Sequence, residues 1–246
     1  MNIDTNILTD FNQHTLAVYP EEAVALITSD GNLHIVDNKS DDPENSFVVD
    51  LLDIKRLNPV GMIHSHPYSM ITPRKTRIDR RTPSKADMQT YQNFGLEFGF
   101  GIVACDGENV STPLWLDEPI NTIGERFIHG YSDCWECIRA WYMENRDIDL
   151  GYFPREFAWW ETDQPSMYDT HLPDIGFVEI DARDIDIGDV VLFKIGSDQI
   201  NHAGLYVNNN VMLHHLYSQL STTEPYSDWM DRAVRVMRLG EVDAND

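Results

Sequence analysis

Cysteine is scarce in this sequence, and it has no long apolar run. The 246 residues include only three cysteines, an odd number and too few for the disulfide framework of a secreted domain. No stretch reaches the roughly eighteen apolar residues of a membrane-spanning helix. The N-terminus lacks a basic segment followed by an apolar one, so no signal peptide is predicted. We therefore expect synthesis and folding in a reducing cytosol.

Basic residues are also few. Eighteen lysines and arginines stand against forty-one acidic residues, which gives a formal net charge of −23 at pH 7. Because affinity for nucleic acid depends on basic side chains that neutralise phosphates, this balance argues against a nucleic-acid partner. Hydrophobic residues make up 42% of the chain and aromatic residues 11%, which is enough for packed cores.

Apolar runs and turn residues predict a first half that mixes helices and strands. The sequence Ser29-Asp30-Gly31-Asn32 between two apolar runs is typical of a hairpin turn. Helices are predicted up to residue 18 and over 84–94. Strands are predicted over 23–28, 33–36, 47–51, 60–63 and 98–105, and the stretch 113–120 forms the exit from this half.

The second half is predicted to begin with a helix and to continue as a sheet. Trp135, Ile138 and Tyr142 fall on one face of a helix over 133–145. A loop-rich, aromatic stretch follows at 151–172, whose aromatic side chains form either a lid or part of the core. Strands are then predicted over 177–180, 190–194, 202–207 and 211–215. This order indicates an α+β fold, with a domain boundary near 116–126.

Two histidines separated by one residue follow an apolar strand. In an extended segment, His64 and His66 share one face, where both imidazoles can reach one metal ion. Asp87 can add a carboxylate, and two histidines with one carboxylate leave a position for water, as in catalytic zinc sites. Glu22 can accept a proton from such a water. Ser84 with Asp87 also fits an ordinary helix N-terminal cap, which needs no metal.

The order and setting of these residues resembles the JAMM (Mov34/MPN) metalloprotease signature, over about residues 15–118. The resemblance implies a role for each residue: zinc ligands His64, His66 and Asp87, general base Glu22, and Ser84 as the residue that steadies the tetrahedral intermediate. Glu21 is the alternative base, although the family's spacing after the proline favours Glu22.

Two features depart from that family's pattern. Seventeen residues separate His66 from Ser84, where the family has a much shorter gap, and they include a basic segment at 74–81. Ala25 also occupies a position where glycine is usual. The basic segment is either a solvated loop or a surface that docks an acidic partner or gates the zinc cleft.

Cys134 lies at the start of the predicted helix of the second half. A helix N-terminus stabilises a thiolate, which is the nucleophilic form, although Cys134 alone is equally explained as a buried, inert thiol. A hairpin would bring His202 and His214 to neighbouring strands, where one can act as base and the other can orient it. Cys137 completes a Cys-x-x-Cys pair without the setting of a redox or zinc motif, so it is expected to fill the core.

These residues resemble the NlpC/P60 cysteine peptidases over about residues 126–220. The similarity rests on three segments: Asp133-Cys134 at a helix start, Ile187-Gly188-Asp189 before an apolar strand, and the His202 strand with His214. The resemblance implies three roles: nucleophile Cys134, base His202 and orienting group His214, with His215 as the alternative for the third. Ile187 replaces a usual proline, and Trp135-Glu136 replaces a common Ser-Gly.

A JAMM-type unit followed by an NlpC/P60-type unit resembles the tail assembly protein K family of long-tailed phages. The resemblance implies an α+β protein of two domains. Residues 1–118 would be a zinc metallopeptidase domain with a mixed sheet and flanking helices. Residues 126–246 would be a papain-like cysteine peptidase domain, a helix with an antiparallel sheet.

The same resemblance implies Zn²⁺ as cofactor and a place in the virion tail, after assembly in the host cytoplasm. The cysteine domain would cut peptide stems of peptidoglycan at the host cell wall. The zinc domain would hydrolyse a peptide or isopeptide bond, in the wall or in a tail protein. Other phage tail-tip proteins would be its partners. The alternative is a structural tail component whose peptidase folds serve as docking modules.

Overall fold

Two sheets, each with its own helices, organise the chain. The computed structural model describes residues 5–68, 79–163 and 165–240. It divides into unit 1, Met1–Glu118, and unit 2, Pro119–Asp246. Both units combine helices with a sheet, so the protein is of the α+β class. Within the described ranges, no helix has the length and apolar character needed to cross a bilayer.

The described residues of unit 1, 5–68 and 79–118, form three helices and five strands. In chain order they are α1 (Thr5–Val18), β1 (Val24–Ile27), β2 (Leu33–Val36), α2 (Leu51–Leu57), β3 (Gly61–Pro67), α3 (Lys85–Phe94), β4 (Gly99–Cys105) and β5 (Leu114–Trp115). The sheet order is β2-β1-β3-β4-β5, with β3 and β4 parallel and the other pairs antiparallel. The predicted hairpin is confirmed as β1 and β2, with Gly31 at a φ of +83° in the turn.

Strand β3 lies at the centre of this sheet. Its first five residues are buried, because Ile63 packs with Phe11 of α1, Ile27 of β1 and Val103 of β4 in one apolar core. Exposure begins at His66, near the end of the strand. The histidine pair therefore lies where a rigid central strand leaves the core.

The strand predicted over 47–51 is wrong. Residues 47–50 form no strand in the structure, and Leu51 begins helix α2. The Asp50 carboxylate accepts a hydrogen bond from the backbone N–H of Leu52, at 2.8 Å, and so caps this helix. Local capping here overrides the apolar run, since Leu51 and Leu52 are exposed and contribute no core contact.

In unit 2, residues 119–163 and 165–240 are described, and they form two α-helices and a six-stranded antiparallel sheet. The elements are α4 (Cys134–Arg146), α5 (Met167–Asp174), β6 (Phe177–Ile180), β7 (Val190–Phe193), β8 (His202–Asn208), β9 (Val211–His214), β10 (Thr222–Pro225) and β11 (Ala233–Leu239). The sheet order is β10-β9-β8-β7-β11-β6. Trp135, Ile138 and Tyr142 are all buried in the core, as the helical periodicity of α4 predicts.

Three elements of unit 2 were not predicted. Helix α5 lies within the stretch expected to be loop, begins at the cap Ser166 and buries Met167, Tyr168 and Leu172. Strand β10 ends in a proline and forms an edge of the sheet, while β11 inserts between β6 and β7. Strand β11 depends on pairing with distant segments, which periodicity alone does not reveal, whereas β10 pairs with the preceding strand β9.

Candidate active sites

Three side chains of unit 1 converge on one point. His64 and His66 lie on the same face of β3, and Asp87 lies in the first turn of α3. The two Nε2 atoms of the histidines are 3.0 Å apart. Asp87 Oδ1 lies 3.2 Å from His64 Nε2, and Asp87 Oδ2 lies 3.2 Å from His66 Nε2. The structure thus brings the predicted trio together, with all three ligand atoms within 4.8 Å of one another.

The spacing and chemistry of this trio fit a zinc ion. Tetrahedral zinc with bonds near 2.0 Å places its ligand atoms about 3.3 Å apart, close to the separations seen here. His66 Nδ1 lies 3.3 Å from the backbone carbonyl oxygen of Arg80. Because a carbonyl oxygen only accepts, Nδ1 carries the proton, and the lone pair of His66 Nε2 faces the other two ligands.

Asp87 takes part in the helix cap and can serve as a metal ligand at the same time. The backbone N–H and the hydroxyl of Ser84 both donate to Asp87 Oδ2 at 2.8 Å, and the Asp87 N–H donates to Ser84 Oγ at 3.1 Å. This capping box fixes the carboxylate that faces the histidines. Burial opposes the charge of Asp87, but His64 and His66 outweigh burial and hold its pKa well below the usual value.

Glu22 lies beside the trio because the pairing of β1 with β3 continues before the first residue of β1. The Ser65 N–H donates to the carbonyl oxygen of Ala23, and the Ala23 N–H donates to Ser65 Oγ, both at 2.9 Å. Since Val24 pairs with His64, this antiparallel register brings Glu22 level with His66. Glu22 is buried, whereas its neighbour Glu21 is exposed.

The environment of Glu22 favours its protonated form. Burial raises its pKa to about 8; His66 opposes the rise, and Asp87 and Asp42 add to it. A carboxylate with a raised pKa is a stronger proton acceptor than an exposed one. Once deprotonated, Glu22 therefore has the basicity that a general base needs, and that role stays a prediction.

The basic segment at 74–81 falls mostly outside the described residues, which resume at 79. At its end, the Arg81 guanidinium pairs with Asp79 at 2.8 Å. Its predicted roles as a docking surface or a gate stay predictions.

In unit 2, Cys134 is the first residue of α4 and its neighbour Asp133 is the N-cap. Asp133 Oδ1 accepts hydrogen bonds from the backbone N–H groups of Trp135 and Glu136, at 3.1 and 3.2 Å. Its other oxygen accepts from the Arg155 guanidinium at 2.5 Å. The sequence Asp133-Cys134 thus places the thiol at a capped helix N-terminus, as predicted.

Buried ion pairs surround this helix start. Arg155 contacts Asp133 and Glu136, and Arg139 pairs with Glu136 at 2.5 Å and with Asp149 at 3.0 Å. Burial opposes ionisation of Asp133, but Arg155 outweighs it and holds the Asp133 pKa far below its usual value. Such a network fixes the backbone that carries the cysteine, because breaking any pair leaves a buried charge.

His202 and His214 lie on the neighbouring strands β8 and β9, and both are buried. His202 Nε2 is 3.3 Å from His214 Nδ1. His215, the alternative, points elsewhere: its Nε2 lies 3.2 Å from the carbonyl oxygen of Gln219, and its ring packs edge-on against Phe127. The structure therefore places His214, and not His215, beside His202.

The thiol of Cys134 differs from the expected thiolate. Burial, together with the charge of Asp133, raises the pKa of Cys134 to about 11. Burial also lowers the pKa of His202 to about 3, with His214 and His215 adding to the effect. Desolvation outweighs the helix dipole here, so the resting pair is a neutral thiol and a neutral imidazole. The hydrogen bond of the thiol links Cys134 Sγ to Tyr168 Oη at 3.1 Å.

Cys134 and His202 line the same cleft, which has a volume of about 370 Å³. Much of its wall is aromatic: Phe127, Trp159, Trp160, Tyr168 and Tyr217. Trp159 and Trp160 come from the stretch predicted to be loop. The aromatic residues of that stretch thus contribute to the wall of the cleft as well as to the core.

Sequence reasoning missed three residues around this cleft. Tyr168 contacts the thiol, Arg155 pairs with the helix cap, and Glu224 Oε2 lies 3.6 Å from His214 Nε2. Tyr168 and Arg155 are distant in sequence from their partners, whereas Glu224 lies on β10, the strand that follows and pairs with that of His214. A basic residue amid aromatic ones was a weak signal for Arg155, and no pattern marked Tyr168 or Glu224.

The geometry of unit 2 agrees with a comparison of sequences. The sequence model of the NlpC/P60 family matches residues 124–238, which include the cysteine and both histidines. Among solved structures, the NlpC/p60 domain of the peptidoglycan hydrolase SagA is similar at 13% identity and a TM-score of 0.34. The alignment covers 48% of this chain and 90% of the SagA domain. The sequence match identifies residues 124–238 as an NlpC/P60 peptidase-like domain.

Two phage proteins match nearly the whole chain or most of it. Tail tip assembly protein K of Escherichia phage N15 is 26% identical over 242 residues, which cover 95% of this chain and 94% of that protein. Tail tip assembly protein K of Escherichia phage lambda is 31% identical over 181 residues, which cover 73% of this chain and 81% of that protein. The chain belongs to the phage tail tip assembly protein K family.

Proposed function

We propose that this tail-tip protein is a peptidase with two catalytic centres, and that unit 2 cuts the peptide stems of peptidoglycan. The observation that carries the proposal is one cleft lined by Cys134 at a capped helix start and by His202, which contacts His214. This is the set of nucleophile, base and orienting group that acyl transfer from a peptide requires.

The steps follow from the neutral resting pair. His202 accepts the thiol proton as Cys134 Sγ attacks the carbonyl carbon of the scissile bond. The carbon–nitrogen bond breaks, and the leaving amine takes the proton from His202. A water then gives a proton to His202 and attacks the thioester, which releases the acid and restores the thiol. Tyr168 Oη, 3.1 Å from Sγ, stabilises developing negative charge on sulfur by donating a hydrogen bond.

For unit 1 we propose a zinc peptidase centre held by His64, His66 and Asp87, whose spacing fits the ion. A bound zinc ion supplies Lewis acidity, which activates a water and polarises a carbonyl group. Glu22 would serve as the general base, accepting and returning a proton at its carboxylate. Ser84 holds Asp87 in place through its hydroxyl, and the family resemblance assigns it to steadying the tetrahedral intermediate. The bond cut is a peptide or isopeptide bond, in the wall or in a tail protein.

The site of action follows from the family. The protein would be assembled with other tail-tip proteins in the host cytoplasm and delivered by the virion to the cell wall. The strong negative charge of the chain suits contact with protein and peptide surfaces rather than with the nucleic acid that passes through the tail.

One observation favours a second candidate, a structural tail component with docking-only peptidase folds. Cys134 is buried and its pKa is raised to about 11, so the resting thiol is unreactive without a base. The two functions predict different outcomes in a direct assay.

The test is a digest of purified peptidoglycan by the intact protein, with released fragments identified by mass spectrometry. Cys134→Ala is the inactive variant, and Cys137→Ala is its matched control, because Cys137 lies one turn on, is buried and lines no part of the cleft. We expect wild type and Cys137→Ala to release stem-peptide fragments and Cys134→Ala to release none. Release by none would contradict the proposal and favour the structural role, whereas equal release by all three would contradict it by showing that the cleavage does not depend on Cys134.

A further inference from the structure

The ring nitrogen of His214 that faces away from His202 is buried and lacks a hydrogen-bond partner among the described residues. His214 Nδ1 faces His202, whereas His214 Nε2 is buried and makes no hydrogen bond with the described residues. A buried polar atom without a partner is costly, so the nearest polar group decides which form the ring adopts. That group is the carboxylate of Glu224, whose Oε2 lies 3.6 Å away.

Glu224 is held at this place by the sheet and by a tryptophan. On β10 it pairs with Met212 of β9, two residues before His214, so Glu224 and His214 share one face of the sheet. The indole N–H of Trp229 donates to Glu224 Oε2 at 2.6 Å, and the same indole packs edge-on against the His214 ring, with centroids 4.7 Å apart. The carboxylate therefore approaches His214 from a fixed direction.

We propose that Glu224 is a positioning residue that sets the tautomers of both histidines. A carboxylate attracts an N–H and repels a lone pair, so Glu224 favours the His214 tautomer with the proton on Nε2. His214 Nδ1 then accepts, and His202 Nε2 must donate to it across 3.3 Å. This leaves the lone pair of His202 on Nδ1, the ring nitrogen that does not face His214 and can therefore accept a proton.

The opposite arrangement shows why the choice matters. If His214 carried its proton on Nδ1, it would donate to His202 Nε2, and the proton of neutral His202 would lie on Nδ1. His202 could then not accept a proton through that nitrogen. Glu224 thus selects the arrangement in which a chain of hydrogen bonds ends in a free base. The inference rests on the proposed role of His202 in unit 2.

The direct test is ¹⁵N NMR of histidine-labelled intact protein at neutral pH, which distinguishes the two tautomers of each ring. Single substitutions of His202 and His214 assign their signals. We expect wild-type His214 to be protonated on Nε2 and His202 on Nε2. A wild-type His214 protonated on Nδ1 would overturn the proposal, and this result needs no variant.

Glu224→Leu removes the carboxylate, and Glu179→Leu is the matched control because Glu179 is an exposed glutamate on β6 of the same sheet. We expect Glu224→Leu, but not the control, to lose the Nε2–H preference of His214. We also expect it to slow alkylation of Cys134 by iodoacetamide about tenfold, since part of the general-base assistance is lost. Tautomers and alkylation identical to the control would overturn the proposal.

These measurements use no wall substrate. A protein that fails to digest peptidoglycan while showing the expected tautomers would therefore contradict the proposed function and leave the role of Glu224 intact. Digestion that depends on Cys134 with the opposite tautomers would do the reverse.

Discussion

Each unit contains a pair of neighbouring histidines, and the two pairs are arranged differently. In unit 1, His64 and His66 lie on one strand, and both turn Nε2 toward the same carboxylate. In unit 2, His202 and His214 lie on adjacent strands, and Nε2 of one faces Nδ1 of the other. Convergent nitrogens can hold an ion, whereas nitrogens arranged head to tail can pass on a proton. The comparison shows that ring orientation, and not the presence of two histidines, separates the two chemistries.

The surroundings of the two pairs differ as well. The trio of unit 1 is supported by one capping box, whereas the cysteine of unit 2 lies on a network of buried ion pairs. Substitutions in the ion-pair network of unit 2 and in the trio of unit 1 measure what each contributes to stability and to metal binding.

The largest effect is expected from Arg155→Met in unit 2. This change leaves Asp133 as a buried carboxylate without its guanidinium partner, while Glu136 keeps Arg139, and it should lower the free energy of unfolding by about 3–5 kcal/mol. Chemical denaturation followed by circular dichroism measures the change. Arg183→Met is the control, since Arg183 pairs with Asp181 at the surface, and its unfolding midpoint should not move. Equal shifts in both variants would show that the network does not support the fold.

In unit 1, His66→Ala should weaken zinc binding more than about 100-fold, because losing even an outer-shell partner of a metal ligand commonly costs 10–100-fold. Competition with a chromophoric chelator measures the affinity. His34→Ala, on strand β2, is the control and should bind zinc like wild type. Similar affinities for the two variants would place the metal elsewhere or exclude it.

The fold of the chain could be predicted from its sequence where the signals are local. An i, i+2 spacing on a strand, a Ser-x-x-Asp cap and an Asp-Cys helix start each depend on a few neighbouring residues. Those signals predicted the cluster of His64, His66 and Asp87 and the start of α4. The hairpin that joins His202 to His214 is equally local, since a short turn connects its strands.

What could not be predicted depends on distant contacts or on desolvation. Tyr168 is 34 residues from Cys134, and its contact exists only because α5 packs beside α4. Strand β11 pairs with β6 and β7 across long stretches of chain. Two interpretations of Cys134 were open from the sequence, a stabilised thiolate or a buried thiol, and burial, which no local pattern encodes, favours the protonated thiol by raising its pKa.

A pH titration sharpens the contrast at His202. Its folded-state pKa of about 3 lies below the unfolded value of 6.5, because burial disfavours the imidazolium. The neutral form therefore stabilises unit 2 fully above pH 6.5, and this contribution is lost as the pH falls toward 3. The loss reaches about 1.4 kcal/mol per pH unit. Unfolding measured across this range should show a shallower slope for His202→Asn. An unchanged slope would mean that His202 is not buried as a neutral base.

The smallest expected effect is the difference in stability between two glycine-to-alanine variants, one in each unit. A Cβ at Gly101 would lie 2.6 Å from the Trp115 ring, and a Cβ at Gly204 would lie 2.6 Å from Met212 Sδ. Gly101→Ala should lower the free energy of unfolding by about 2 kcal/mol, because the rigid indole cannot adapt its shape. Gly204→Ala should lower it by about 1 kcal/mol less, because the methionine side chain can change rotamer. Thermal unfolding of both variants measures the difference. A larger cost at Gly204 would show that Met212 is fixed by its surroundings.

The central claim is that one chain carries two separate chemical centres. It is tested most directly by measuring zinc content and release of wall peptides on wild type, Asp87→Asn and Cys134→Ala prepared in parallel. We predict that Asp87→Asn loses zinc and still releases stem peptides, whereas Cys134→Ala keeps zinc and releases none. The account is contradicted if either substitution abolishes both properties, or if the wild-type protein has neither.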